Sequence, residues 1–188
     1  LGPKQLLMSI NDEFGIKSDS ETTKELIDTL NTFLMRNRAK GNKVILLIDE
    51  AQNLSQNVLE QLRLLSNLET NKDKLLQIIL VGQPELAEML ESYELRQIGQ
   101  RITLSYHLTP LSFSETKEYI QYRINIAAQR KGIQFDRSAY YQIFKSSKGI
   151  PRLINIVCDR ALLTAFVLNQ HKISGSILKA SIRELSGK

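Results

Sequence analysis

At 188 residues and 42% apolar, the chain can bury the core of one domain, or of one domain with a small appendage. No apolar run approaches bilayer-spanning length, no signal peptide is visible at the N-terminus, and the single cysteine, Cys158, excludes an internal disulfide and fits a reducing compartment. Net charge is +5, with Lys and Arg interspersed among acids and without aromatic interleaving, so an anionic partner is tolerated, none is selected, and nucleic acid is not expected.

Pro3 is placed to open a first helix, with Leu6, Leu7, Ile10 and Phe14 as its apolar stripe and Gly15 as its stop. Ser18 and Glu21 have capping-box spacing ahead of a second helix that carries Leu26, Ile27, Leu30, Phe33 and Leu34 towards Gly41. The period then changes. Val44 to Ile48 is a continuous apolar run and predicts a parallel strand covered on both faces. Ser55 can cap a helix containing Val58, Leu59, Leu62 and Leu65, and a polar loop through Asn71 leads to a second apolar run, Leu75 to Val81. Residues 102–108 alternate apolar and polar and predict a third strand. Strands separated by helices imply an α/β layer with parallel strands. After Pro110 the period stays helical, with candidate helices over 113–130, 136–146, 151–169 and 174–185. The expected organisation is therefore an α/β part over 1–110 and an all-helical unit over 111–188.

The chemistry-bearing residues sit at the ends of these elements. Asp49 and Glu50 close the first strand, at the carboxyl edge where open α/β sheets bind ligands. In a nucleotide site the first acid can hold the shell of a Mg²⁺ ion and the second can polarise an attacking water. The same pair would also suit a solvated strand end before a turn. Gln83 ends the second strand; its amide could orient that water and contact a terminal phosphate, or simply occupy the turn before Pro84. Arg96 and Arg101 precede the third predicted strand and could pair with Glu91 or Glu94, or act as an arginine finger towards a neighbouring subunit's nucleotide. Gly149-Ile150-Pro151-Arg152 opens a helix with a cation in the first turn, where the helix dipole favours anions. A cation there can reach for an external phosphate or remain a surface arginine.

In this order the residues resemble the AAA+ ATPases: Walker B at 44–50, sensor 1 at Gln83, an arginine-finger region at Arg96–Arg101 and sensor 2 at Arg152. Leu47-Ile48-Asp49-Glu50-Ala51-Gln52-Asn53-Leu54, Val81-Gly82-Gln83-Pro84-Glu85-Leu86 and Gly149-Ile150-Pro151-Arg152-Leu153-Ile154-Asn155 are similar to the general secretion pathway protein A (ExeA) branch. The pilus-biogenesis ATPases of the mannose-sensitive haemagglutinin type share the pattern, as do transposition ATPases more loosely. The resemblance implies a partial P-loop NTPase sheet with helices followed by a helical lid, using ATP and Mg²⁺ on the cytoplasmic side of a Gram-negative inner membrane. It also implies self-assembly into an oligomer or ring and a partner protein in secretin or pilus assembly. Membrane attachment is expected only through further segments that these residues do not include. An AAA+ regulator of DNA transposition and a non-hydrolytic adaptor are the competing readings.

One part is missing. None of the nine glycines opens a Gly-x-x-x-x-Gly-Lys phosphate loop; the lone Gly-Lys pair is Gly187-Lys188, and Ile182 stands at the earlier glycine position. In the family that loop lies upstream, so these residues are expected to start after the first two strands and to be inert as an ATPase alone. AAA+ sheets usually run in the order 5-1-4-3-2. Absence of strand 1 would leave 75–81 with an unpaired edge, open to strand addition or domain swapping.

Overall fold

The computed structural model describes residues 2–17, 22–69, 74–127 and 133–185. The chain forms two compact units, Leu1–Ser105 and Tyr106–Lys188, each with its own apolar core. The expected boundary near Pro110 lies within 102–112, a stretch without regular secondary structure.

In the first unit α1 (Pro3–Glu13) and α2 (Thr23–Ala39) pack together, burying Leu7, Leu26, Leu30 and Leu34. A buried polar group locks the pair: Asn11 Nδ2 donates to the Leu26 carbonyl at 3.1 Å and to Thr29 Oγ1 at 3.3 Å. Phe14 stacks on Phe33 with ring centroids 5.4 Å apart. The Thr22 hydroxyl caps α2 by accepting from the Glu25 N–H; the capping box expected from Ser18 and Glu21 lies outside the described residues. Next come β1 (Val44–Ile48), α3 (Gln56–Leu65), β2 (Leu76–Leu80), α4 (Pro84–Glu91) and the short α5 (Arg96–Gly99). Ser55 precedes α3 as expected, but its side chain makes no capping bond.

β1 and β2 pair in parallel, with Val44 opposite Leu76 and Ile48 opposite Leu80. Leu75 and Leu76 are buried in the same core as α1, α2 and α3. Two expectations need correction. β1 is covered on one face only: Ile45 and Leu47 are 50% and 61% exposed, and the register places Ile79 of β2 beside Leu47 on that open face. The apolar run thus reports residue type rather than two-sided burial. Residues 102–108 form no strand, although the alternation is clean. Alternation yields a strand only where backbone groups find a ladder and one face finds a core. Leu104, Tyr106 and Leu108 are all more than 80% exposed, and among the described residues no strand lies alongside to pair with them.

The second unit contains α6 (Phe113–Ala127), α7 (Arg137–Ser147), α8 (Pro151–Val167) and α9 (Gly175–Leu185). Ile143, Ile154, Ala161 and Leu178 are buried in its core. It is not wholly helical. β3 (Gln134–Phe135) and β4 (Lys172–Ile173) form a two-residue parallel pair that periodicity cannot signal. Cys158, on α8, is partly buried; burial, then Asp159, pushes its thiol up to about 12, so it is no nucleophile at neutral pH.

Asp136 joins the strand pair to the helices. Its carboxylate accepts from the Ser138 hydroxyl at 2.6 Å and from the Ala139 N–H at 2.7 Å, capping α7. The Ser138 oxygen in turn accepts from the Gly175 N–H at 2.9 Å, where α9 starts. These bonds, the Ser138 hydroxyl first, hold the Asp136 carboxyl below its usual range. A depressed carboxyl stabilises the fold above its unfolded value of about 3.9, and that contribution disappears as pH falls through the lower folded value. Asp136→Ala should therefore cost about 1 kcal/mol at neutral pH. The cost should shrink in acid, as urea unfolding curves taken along a pH series will show.

Candidate functional site

The ends of β1 and β2 lie side by side and form the candidate site. Pairing continues beyond the strands: the Val81 N–H donates to the Ile48 carbonyl at 2.8 Å and the Ala51 N–H to the Val81 carbonyl at 2.9 Å. The residues between Ile48 and Ala51 are therefore clamped beside 81–83. They are Asp49 and Glu50.

Asp49 Oδ1 accepts from the Glu50 N–H at 2.8 Å, which leaves its second oxygen for other partners. Glu50 takes the left-handed conformation at φ 53° and ψ 37°, which a residue bearing a Cβ adopts at a cost of about 1–2 kcal/mol. That twist turns the extended chain into the 3₁₀ turn Ala51–Asn53, where the Asn53 N–H returns to the Glu50 carbonyl at 2.9 Å. Ala51 is fully buried beneath the turn while both carboxylates stay exposed. The strain is held by the pairing on one side and the buried alanine on the other.

Gln83 is the N-cap residue of α4, its side chain exposed, with Pro84 in the first helical position. Gln52 spans from one strand end to the other. Its Nε2 donates to Glu50 Oε2 at 2.6 Å, and its Oε1 accepts from the Gln83 backbone N–H at 3.1 Å. Sequence reading passed over Gln52 as one letter of the Asp-Glu-Ala-Gln run, because a glutamine two residues past an acid has no periodic signature. The available signal was Gly82. A Cβ there would come within 2.7 Å of Gln52 Oε1 and 2.9 Å of Leu86 Cδ2, so a side chain at 82 would oblige the Gln52 amide and Leu86 to shift.

The structure thus brings Asp49, Glu50 and Gln83 together. Arg96 opens α5 and Arg101 follows it, in the same unit; both are exposed, and among the described residues neither pairs with Glu91 or Glu94. Arg152 belongs to the second unit, as the second residue of α8. Ahead of it Gly149 adopts φ +77°, and a Cβ would run into the Leu111 carbonyl oxygen. The Leu111 N–H also donates to the Gly149 carbonyl at 2.9 Å, so the turn is pressed against that segment.

Residues 2–90, from α1 to α4, match the AAA domain family. That likeness covers a little under half of the chain. The match includes Asp49, Glu50 and Gln83 but stops short of Arg96, Arg101 and Arg152. Over all 188 residues the chain is 45% identical to the general secretion pathway protein A of Aeromonas hydrophila, and covers 34% of that protein. Its fold is shared with solved structures of low sequence identity. The ADP form of the Aeropyrum pernix ORC2 protein superposes with a TM-score of 0.70 at 15% identity, over 97% of this chain and 50% of that one. The Thermotoga maritima RuvB Holliday junction branch migration motor gives 0.60 at 19% identity, over 82% of this chain and 49% of that one. The chain therefore spans about a third of the curated relative's length and about half of each solved structure.

Because Gly149 combines a positive φ with backbone crowding, Gly149→Ala should destabilise the second unit by roughly 2 kcal/mol or more. Equilibrium urea denaturation of the chain measures this directly, with Gly41→Ala, which meets open space, as the control for positive φ alone.

Proposed function

We propose that this chain is the AAA domain of an ATPase that drives or regulates assembly of an envelope secretion complex from the cytoplasmic side of the membrane. The observation that carries the reading is the clamped juxtaposition of Asp49 and Glu50 with Gln83. Identity of 45% across all 188 residues to a general secretion pathway protein A supports the biological setting.

The donor set suits a Mg²⁺–ATP complex. Among the described residues no group of three or more His, Cys, Asp or Glu could cage a metal, whereas Mg²⁺ takes one or two carboxylates, keeps waters and shares the phosphates of its nucleotide. When bound, the ion would neutralise charge on the phosphates. Asp49, with one oxygen tied to the Glu50 N–H and the other free, would hold a water of its shell. Glu50 accepts the proton of the attacking water, and the Gln83 amide orients that water against the terminal phosphate. Arg101, or Arg96, supplies positive charge to a neighbouring subunit's nucleotide, which requires an oligomer or ring. Arg101 would be favoured by a strand directly after it, but 102–108 form none, so the fold does not rank the two. Arg152, placed in a first helical turn of the second unit against the dipole, suits an external phosphate. No Gly-x-x-x-x-Gly-Lys sequence is present in these residues, so a different part of the whole protein would cradle the phosphates.

Two measurements test the reading. In the whole protein Glu50→Gln should bind ATP with affinity within about threefold of wild type while turnover falls about 10²-fold or more, the usual scale for losing a general base. Turnover persisting at the wild-type rate would exclude Glu50 as the water-activating group. The 188-residue chain alone should show no magnesium-dependent phosphate release; measurable release would contradict the need for a separate phosphate loop.

A further inference from the structure

We propose that Gln52 is a positioning residue: it fixes the Glu50 carboxylate in register with the Gln83 backbone so that Glu50 Oε1 alone is left to meet the attacking water. The inference rests on the hydrolytic reading above and deepens it.

The chemistry at each end of Gln52 dictates which way its amide points. An ionised carboxylate only accepts, so the atom 2.6 Å from Glu50 Oε2 must be the NH₂ group. A backbone N–H only donates, so the atom 3.1 Å from the Gln83 nitrogen must be the carbonyl oxygen. Flipping the amide would set oxygen against oxygen and N–H against N–H. Only one orientation is compatible with both neighbours. A glutamate could accept but not donate, a lysine could donate but not accept, and an asparagine is one methylene shorter.

Glu50 needs such a restraint. It sits on a left-handed residue between a strand and a 3₁₀ turn, its side chain is exposed, and Gln52 is its single hydrogen-bond donor among the described residues. Without that bond the carboxylate would rotate freely in solvent. The bond engages Oε2 and leaves Oε1 unoccupied. The other end of the same amide holds the N–H of Gln83, whose side chain is proposed to orient the same water. One half-buried side chain thus couples the proton acceptor to the residue that orients the nucleophile. Gly82 keeps the space for it, since a Cβ at that position would displace Gln52 Oε1.

The test uses the whole protein, with kcat and KM from steady-state ATP hydrolysis and Kd from a fluorescent ATP analogue. Gln52→Ala removes both bonds. Gln52→Glu keeps the length and the acceptor for Gln83 but sets a like charge against Glu50. If Gln52 were only a structural tie between strand ends, Gln52→Glu would behave as wild type. We expect instead that both variants lose about 10- to 100-fold in kcat, the scale of a misplaced catalytic group, with Kd within about threefold. Gly82→Ala, which displaces the amide without touching it chemically, should lower kcat in the same way. Combined with Gln52→Ala it should cost less than the two losses multiplied, because the collision with the Gln52 amide is gone and only the one with Leu86 remains.

Wild-type kcat in Gln52→Glu would overturn the proposal, as would losses from Gly82→Ala and Gln52→Ala that simply multiply. The two levels fail separately. Undiminished turnover in Glu50→Gln sinks the hydrolytic reading itself, whereas an inactive Glu50→Gln beside a fully active Gln52→Glu sinks only the role of Gln52.

Discussion

The arrangement of the candidate site depends on the parallel pairing of β1 with β2 and its continuation past the strand ends. Five residues on each strand face one another in fixed register, and the bonds from Val81 to Ile48 and from Ala51 to Val81 carry that register into the turns. A one-residue slip would exchange the faces of the strand and take Asp49 and Glu50 away from Gln83. The register is held from below rather than by the sheet. A two-stranded sheet is marginal in water, but Leu75, Leu76, Val58, Leu59 and Leu62 share a core with α1 and α2. Each fully buried leucine there contributes about 1.5–3 kcal/mol. Helix packing therefore sets the strands, the strands set the turn, and the turn sets the acids.

The second unit repeats the logic with different parts. Asp136, Ser138 and the Gly175 N–H form a chain of hydrogen bonds that ties the start of α7 to the start of α9, while Gly149 presses its turn against Leu111. Both devices concern helix beginnings, where backbone N–H groups lack partners. At α8 the N-cap is Ile150, which offers no side-chain acceptor, and Arg152 follows in the first turn. That terminus lacks a side-chain cap and sets a cation against the helix dipole.

What could be read from the sequence follows from which physical signals are local. Helices with an apolar stripe and a clear stop were legible: Pro3 opens α1, Pro151 opens α8, and Gly149 turns where a left-handed residue was needed. The acid pair at a strand end and Gln83 at the next strand end were legible because each follows an apolar run. Strand existence at 102–108 was not, since alternation records a preference and only a neighbouring ladder satisfies it. Two-residue strands such as β3 lie below the length at which any period can be counted. Gln52 escaped because its importance lies in a contact across 31 residues, from one strand end to the next.

The open face of the sheet follows from the same constraint. Ile45, Leu47 and Ile79 project on the side away from the core, yet they are as apolar as the residues opposite them. Solvent-facing strand positions in an antiparallel sheet are usually polar, whereas parallel strands are apolar on both faces because both are normally covered. Apart from Gln77, which lies opposite Ile45, β1 and β2 have the composition of the second kind and the burial of the first. Polar substitutions on that face would cost this unit little by itself, so its composition reflects a demand that the core beneath does not make. The clamp at the strand ends does not need that cover, because its hydrogen bonds run along the edge shared by β1 and β2. The geometry of Asp49, Glu50, Gln52 and Gln83 is therefore a property of the strand pair, established independently of whatever lies over Ile45 and Leu47.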